Sequence, residues 1–361
     1  MTPTQRLHAL GQSIWLGQIT RDLLDSGELQ RMIDGLSVTG LTSNPTIFEH
    51  AIRSSRRYDE AIRAGLRDGR SPEAMFFDLA LDDLTRAADL FRPVHERSCG
   101  VDGWVSLEVS PLLAHDTEAS IRQARELHAR ATRPNLFIKI PGTAEGLPAI
   151  EASIFAGVPV NVTLLFSREQ YVAAADAWLR GIERRIAAGL PPDVASVASL
   201  FVSRWDVAVA GQVPEALRNR LGVAIGKRAY RAYAELLASP RWHRAMNCGA
   251  RPQRLLMAST GTKDPAASDI LYVRELAAPL TVNTMPEATL KAFAEHGEIG
   301  APLRADGGDS EAVIAEHAAA GIDVDALAAR LQDDGAKAFA RSWQGLLQQI
   351  AARGETLGRT A

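Results

Sequence analysis

Short runs of apolar and β-branched residues alternate along the chain with longer stretches whose apolar positions recur at helical spacing. The short runs predict strands at Ser13–Gly17, Ser37–Thr42, Gly103–Glu108, Asn135–Ile140, Val158–Leu164, Val194–Phe201, Arg254–Ser259 and Leu280–Asn283. Between them lie Ala/Arg/Glu-rich segments such as Thr117–Thr132, Arg168–Ala187 and Pro214–Ala238, each long enough to cross over outside a parallel sheet. This rhythm predicts an α/β fold, a closed (β/α)8 barrel of the TIM type. The alternative is an open doubly wound sheet, but no G-x-G-x-x-G follows the first strand as a dinucleotide site requires.

After Met285 the pattern becomes helical, through Leu290–His296, Glu311–Ala320, Val324–Leu331 and Ala336–Arg353. The Gly/Asp-rich joint at Ala305–Asp309 reads as a loop, not as a domain boundary. Residues 1–361 are therefore expected to form a single barrel domain, with about 286–361 as extra C-terminal helices packed on it.

Charge and cysteine usage narrow the function classes. With 40 Lys+Arg against 43 Asp+Glu the net charge is -3, so no bulk field draws in nucleic acid or an anionic membrane. Any anion must be held by local groups. No apolar run approaches the ~18–20 residues that span a bilayer, and the N-terminus lacks a signal pattern. Cys99 and Cys248 lie far apart without ligand spacing, which argues against a disulfide framework or structural zinc and fits a reducing cytoplasm. No metal or organic cofactor is expected, and a barrel of this size can be a monomer, with a homodimer as the alternative. The basic residues are nearly all arginine: only Lys139, Lys227, Lys263, Lys291 and Lys337 are lysines. A lysine inside an apolar strand is conspicuous against that background.

Active groups of a (β/α) barrel stand at the carboxyl ends of its strands. The predicted strand ends supply Thr42-Ser43-Asn44-Pro45, Glu108, Lys139 within Leu136-Phe-Ile-Lys-Ile-Pro141, Asn161 and Thr163, then Ser199, Phe201 and Arg204, and finally Ser259-Thr-Gly-Thr-Lys263. Desolvation at Lys139 favours a neutral amine, which can attack a ketone and form a Schiff base, an electron sink for C–C cleavage. The competing reading is a strand-end lysine reaching solvent or paired with Glu108. Glu108, with a water shared with Thr163, is placed to move the protons that such chemistry needs. Asn44 and Asn161 suit substrate hydroxyls, although each is also a common turn or cap residue. Ser259, Lys263 and Arg204 bring hydroxyl, ammonium and guanidinium groups to a late barrel loop, a combination suited to phosphate. Taken singly, Arg204 reads as a surface ion-pair residue sooner than as a ligand.

The run Gly40-Leu-Thr-Ser-Asn-Pro-Thr-Ile-Phe48 resembles one signature of the transaldolase family, and Leu136-Phe-Ile-Lys-Ile-Pro-Gly-Thr-Ala-Glu-Gly146 resembles the other. Similarity continues through Val105–Val109, Asn161–Ser167, Ser199–Arg204 and Thr281–Pro286, covering nearly the whole chain in order and pointing to the longer bacterial branch. The resemblance implies transfer of a dihydroxyacetone unit from sedoheptulose 7-phosphate to glyceraldehyde 3-phosphate, giving erythrose 4-phosphate and fructose 6-phosphate in the pentose phosphate pathway. It implies Lys139 as Schiff-base former and Glu108 and Thr163 as handlers of the catalytic water. Asn44, Asn161 and Ser199 would contact the ketol unit, and Arg204 and Ser259 the phosphate, with Lys263 nearby. One position departs: the family usually ends its first strand Trp-Leu-Asp, and here Trp15-Leu16 is followed by Gly17. Glu108 with water, Asp22 from the following helix, or a different natural reaction would account for the missing acid/base. Two further readings remain: an aldolase that releases the three-carbon fragment to water, and a non-catalytic sugar-phosphate-binding barrel.

Overall fold

The computed structural model describes residues 1–359, and the fold grows from its eight parallel strands. They are β1 (Gln12–Leu16), β2 (Val38–Leu41), β3 (Val105–Glu108), β4 (Leu136–Pro141), β5 (Val160–Leu165), β6 (Ser196–Phe201), β7 (Gln253–Ala258) and β8 (Thr281–Met285). Their hydrogen-bonded order, β2-β1-β8-β7-β6-β5-β4-β3, returns to its start through one parallel bridge, Gly40 to Trp104. Two backbone bonds flank that bridge, Gly103 N to Thr39 O at 2.8 Å and Leu41 N to Trp104 O at 2.9 Å. Gly40 is required here because a Cβ would fall 2.7 Å from both Trp104 O and Trp15 Nε1. The strands match the expected ones to within a residue or two at each end. Every strand residue is buried, as a parallel sheet wrapped in helices demands.

Side chains of period two fill the barrel in layers. At the amino-terminal end Ser13 Oγ donates to Asp102 (2.5 Å), Trp15 Nε1 donates to the other oxygen (2.8 Å), and Arg254 donates to Ser13 Oγ (2.7 Å). One level higher, Phe137 stacks on Trp104 with centroids 4.1 Å apart and meets Trp15 at 6.1 Å. These layers separate the amino-terminal polar cluster from the carboxyl-terminal mouth.

Outside the barrel the structure adds elements that periodicity alone did not single out. Between β2 and β3 run three helices, Pro45–Ser54, Asp59–Arg67 and Pro72–Arg97. The stretch Pro214–Ala238 is a 3-10 turn, Glu215–Leu217, followed by a helix, Leu221–Leu237; Asn219, at φ 59°, breaks the path between them. The expected pair Val324–Leu331 and Ala336–Arg353 is one continuous helix, Val324–Arg359. The polar Gln332–Gly335 stretch touches the barrel and is not a break. A Cβ on Gly335 would lie 3.0 Å from Leu164 and 3.6 Å from Phe166, and Gln332 Nε2 donates to Gly142 O (3.0 Å) and Leu164 O (2.9 Å). That helix packs along the three helices of the β2–β3 connection. No helix among the described residues is long and apolar enough to cross a membrane.

Candidate active site

Strand register determines which side chains meet at the mouth. Glu108 on β3 pairs with Lys139 on β4, which pairs with Asn161 on β5; two residues further on, Pro141 pairs with Thr163. Lys139 is 5% exposed, and its Nζ donates to Ser43 O at 3.0 Å and to Glu108 Oε2 at 3.2 Å. Burial pushes the Glu108 carboxyl above its ordinary value, while the Lys139 charge and hydrogen bond pull the other way. Glu108 Oε1 and Thr163 Oγ1 are both buried and have no hydrogen-bonding partner among the described residues. Two such orphaned oxygens cost free energy unless something polar visits them.

Below this pair a relay of hydrogen bonds holds the floor in place. Ser199 Oγ donates to Asn161 Oδ1 (2.7 Å), and Asn161 Nδ2 donates to Ser106 Oγ (3.1 Å), linking β6, β5 and β3. Ser43 Oγ donates to Ser106 O (2.8 Å) and draws the end of β2 toward β3. Asn44 Oδ1 accepts from Ile47 N (3.0 Å), so this residue caps the helix that begins at Pro45.

β5 bends where it enters the site. Its register shifts between Val162 and Leu165, and Leu164 takes φ 59°, an unusual conformation for leucine that costs on the order of 1–3 kcal/mol. Ser259, immediately after β7, is also left-handed at φ 57° and shares a 2.9 Å hydroxyl contact with Ser203. Arg204 follows Ser203, its guanidinium 5.6 Å from the centre of the Phe201 ring. Burial lowers Arg204 from its ordinary value, and among the described residues no carboxylate opposes that shift.

A cavity of about 280 Å³ gathers Lys139, Thr163, Asn44, Ser199, Phe201, Arg204 and Ser259. Gly17, Thr42, Thr284 and Phe339 line it as well, the last contributed by the C-terminal helix. Glu108 stands behind Lys139 and Asn161 beneath Ser199, so nine of the ten expected site residues converge on one mouth. The tenth does not: Lys263 is exposed and lines a separate cavity of about 470 Å³ with Arg218, Asn219 and Asp264. That cavity is larger, but its buried carboxylate, Asp206, is already bonded to Tyr272 O–H (2.7 Å) and to the Leu221 and Gly222 amides. Asp22 also lies elsewhere, paired with Arg57 at 2.5 Å on the surface. No Asp or Glu is among the residues that line the smaller cavity. Thr42 and Thr284 stood within motifs noted in the sequence without a role being read for them, and Phe339 gave no signal because it comes from a distant helix.

The geometry provides a buried amine beside a desolvated carboxyl and gathers round one cavity several hydroxyls and a guanidinium that has no carboxylate partner among the described residues. Comparison with known proteins agrees in kind. A family model described as Transaldolase/Fructose-6-phosphate aldolase matches residues 14–350. A transaldolase of Parafrankia sp. (strain EAN1pec) is 45% identical over 372 residues, covering 99% of each chain. A transaldolase of Acidothermus cellulolyticus is 47% identical over 356 residues, 96% of each chain. A transaldolase of Thiobacillus denitrificans is 44% identical over 358 residues, 97% of this chain and all of its own.

Proposed function

The chain belongs to the transaldolase/fructose-6-phosphate aldolase family, and from that premise we propose how its own residues carry out transfer of a dihydroxyacetone unit between sugar phosphates, from sedoheptulose 7-phosphate to glyceraldehyde 3-phosphate. The observation that carries the proposal is Lys139, buried at the cavity floor with its nitrogen 3.2 Å from the Glu108 carboxyl. The amine attacks C2 of the ketose phosphate, a carbinolamine forms, and its hydroxyl leaves as water to give an iminium. The C3–C4 bond then breaks with its electrons flowing into the iminium, the C4 hydroxyl passes its proton to the water held by Glu108 and Thr163, and an aldehyde departs. The remaining enamine attacks the acceptor aldehyde, and water returns to release the product.

Glu108 supplies and removes protons at C2, with a water between its free oxygen and the Thr163 hydroxyl; both atoms lack a partner among the described residues, which supports that reading. Arg204 and Ser259 receive the phosphate, since a partly buried guanidinium without a carboxylate suits an anion. Asn44, whose carbonyl is engaged as a cap, keeps its amide hydrogens for the ketol hydroxyls, and Ser199 with Asn161 orients the same unit. Phe201 provides an apolar face below Arg204. Lys263 acts, in this scheme, only on a substrate long enough to leave the cavity. The two cysteines are exposed and unpaired, in keeping with work in the cytoplasm.

A second reading is favoured by one observation, the carboxylate-free cavity wall at Gly17. With less acid/base assistance on that side, the enamine has more time to meet water, and an aldolase that frees dihydroxyacetone results. Borohydride reduction with fructose 6-phosphate, followed by mass spectrometry and an assay of transfer to erythrose 4-phosphate, decides between them. A reduced adduct on Lys139 together with sedoheptulose 7-phosphate is the expected result. An adduct with free dihydroxyacetone and no transfer establishes the aldolase. Absence of any adduct, with Lys139→Met as active as the parent, sinks the Schiff-base mechanism.

A further inference from the structure

The carboxyl end of β1 is the barest part of the site. Gly17 presents no side chain, its N–H is bonded to Met285 O at 2.7 Å, and a Cβ placed on it would lie 3.0 Å from that same oxygen. The strands on either side compensate. Thr42 follows β2 and Thr284 lies on β8, and their hydroxyls meet at 2.8 Å across the end of β1. Both residues are buried and both line the cavity that Lys139 enters.

A threonine hydroxyl has one hydrogen and two lone pairs. The mutual bond consumes one hydrogen and one lone pair, so the pair retains one O–H donor and several acceptor sites. A ketose phosphate held by its carbonyl carbon at Lys139 and by its phosphate at Arg204 must lay the hydroxyl-bearing middle of its chain along a wall of the cavity. On the β8–β1–β2 wall the alternatives to this pair are poor. Gly17 and Pro286 have no polar side chain, Ser43 Oγ is committed to Ser106 O, and Asn44, its carbonyl held by the helix cap, offers only the amide hydrogens already assigned to the ketol hydroxyls. A chain hydroxyl pressed there without a partner would be costly to desolvate.

We propose that the Thr42–Thr284 hydroxyl pair is a specificity-determining site that receives a chain hydroxyl of the ketose phosphate between its carbonyl carbon and its phosphate. The site is neutral and offers both donor and acceptor, so it recognises a hydroxyl and does not take its proton. The proposal rests on the Schiff-base reading above and adds the wall opposite Lys139 to it.

The test uses Thr42→Val, Thr284→Val and the double variant, each preserving shape while removing hydroxyls. The double variant removes both members together and leaves neither orphaned, so folding is retained. Three readouts are taken: kcat and KM for fructose 6-phosphate, inhibition by inorganic phosphate, and the borohydride adduct on Lys139. The expected result is a loss in kcat/KM of roughly 10- to 100-fold, as for a site built to bind a hydroxyl and then deprived of its partner, with phosphate inhibition unchanged. A double variant with the parent kcat/KM overturns the proposal. So does a loss of phosphate inhibition parallel to the loss of kcat/KM, which would mean that the mouth had merely been deformed. If the parent protein gives no adduct on Lys139, the underlying reading has failed and the proposal falls with it; an adduct in the parent with unaffected variants refutes the hydroxyl site alone.

Discussion

Glu108 shows how much a single buried carboxyl is asked to do. Burial raises its pKa and Lys139 only partly offsets this, so the limb below which its base form is lost lies above the usual carboxylate range. Activity should therefore fall on the acid side at a pH higher than an exposed glutamate would give, and Glu108→Gln should remove that limb and slow turnover about 10²–10⁴-fold, as pH–rate profiles will show. The linkage sign for folding runs the opposite way. A raised folded-state value favours the protonated form, so the stability it contributes is full below the unfolded value and lost as pH rises through the folded one. Arg204→Ala should leave the Lys139 adduct chemistry possible while raising KM for phosphorylated donors more than for free dihydroxyacetone, in steady-state assays on both. Lys139 was legible in the sequence because a lysine among Phe137, Ile138 and Ile140 breaks an apolar strand in an arginine-rich chain. Thr284 was not, because its role depends on a hydroxyl that lies 242 residues away in the chain.

The connections between strands carry stability more than chemistry. Arg21 sits in the short helix Arg21–Asp25 after β1 and donates to Asp83 (2.7 Å) on the long helix Pro72–Arg97; Tyr58 O–H donates to the other Asp83 oxygen (2.8 Å). Asp83 is fully buried, and burial raises its pKa against the pull of Arg21. Removing the arginine leaves a buried acid without its cation, so Arg21→Ala should cost about 3–5 kcal/mol in denaturant unfolding, while Arg57→Ala, whose ion pairs are at the surface, should cost under about 1 kcal/mol. Strands were the most legible elements: their apolar runs are short, buried on both faces and bounded by Gly, Pro and Asn. Helix ends were less so. The Val324–Arg359 helix was read as two because Gln332, Asp333, Asp334 and Gly335 look like a break, whereas the glycine is there to let the helix touch Leu164. Periodicity reports a face; it does not report what that face will press against.

At the scale of the molecule, the C-terminal helix forms part of the wall of the candidate site. Its Trp343 meets Phe76 edge-on at 4.8 Å and Phe77 at 5.5 Å, while Phe339 reaches the cavity. Ending the chain after Asp323 should lower the melting temperature and abolish borohydride trapping, because it uncovers those aromatics and opens one wall of the site; calorimetry and mass spectrometry measure the two effects. Nothing in the sequence tied this tail to the site, since long-range packing leaves no local pattern.

The barrel's closure gives the chemistry a second reporter. The β2–β3 edge has a single bridge, and Lys139, standing on β4, reaches across β3 to the Ser43 carbonyl at the end of β2. A lysine nitrogen carries two or three hydrogens, but an iminium nitrogen carries one. Once the covalent intermediate forms, the nitrogen cannot keep both the Ser43 and the Glu108 contacts. The amides of Gly103 and Leu41, which bond across that edge, should then exchange with deuterium faster in the unreduced iminium held with excess fructose 6-phosphate than in the free protein, while those on β6 and β7 stay unchanged. A bond made at one nitrogen would be readable as breathing along a seam of the barrel.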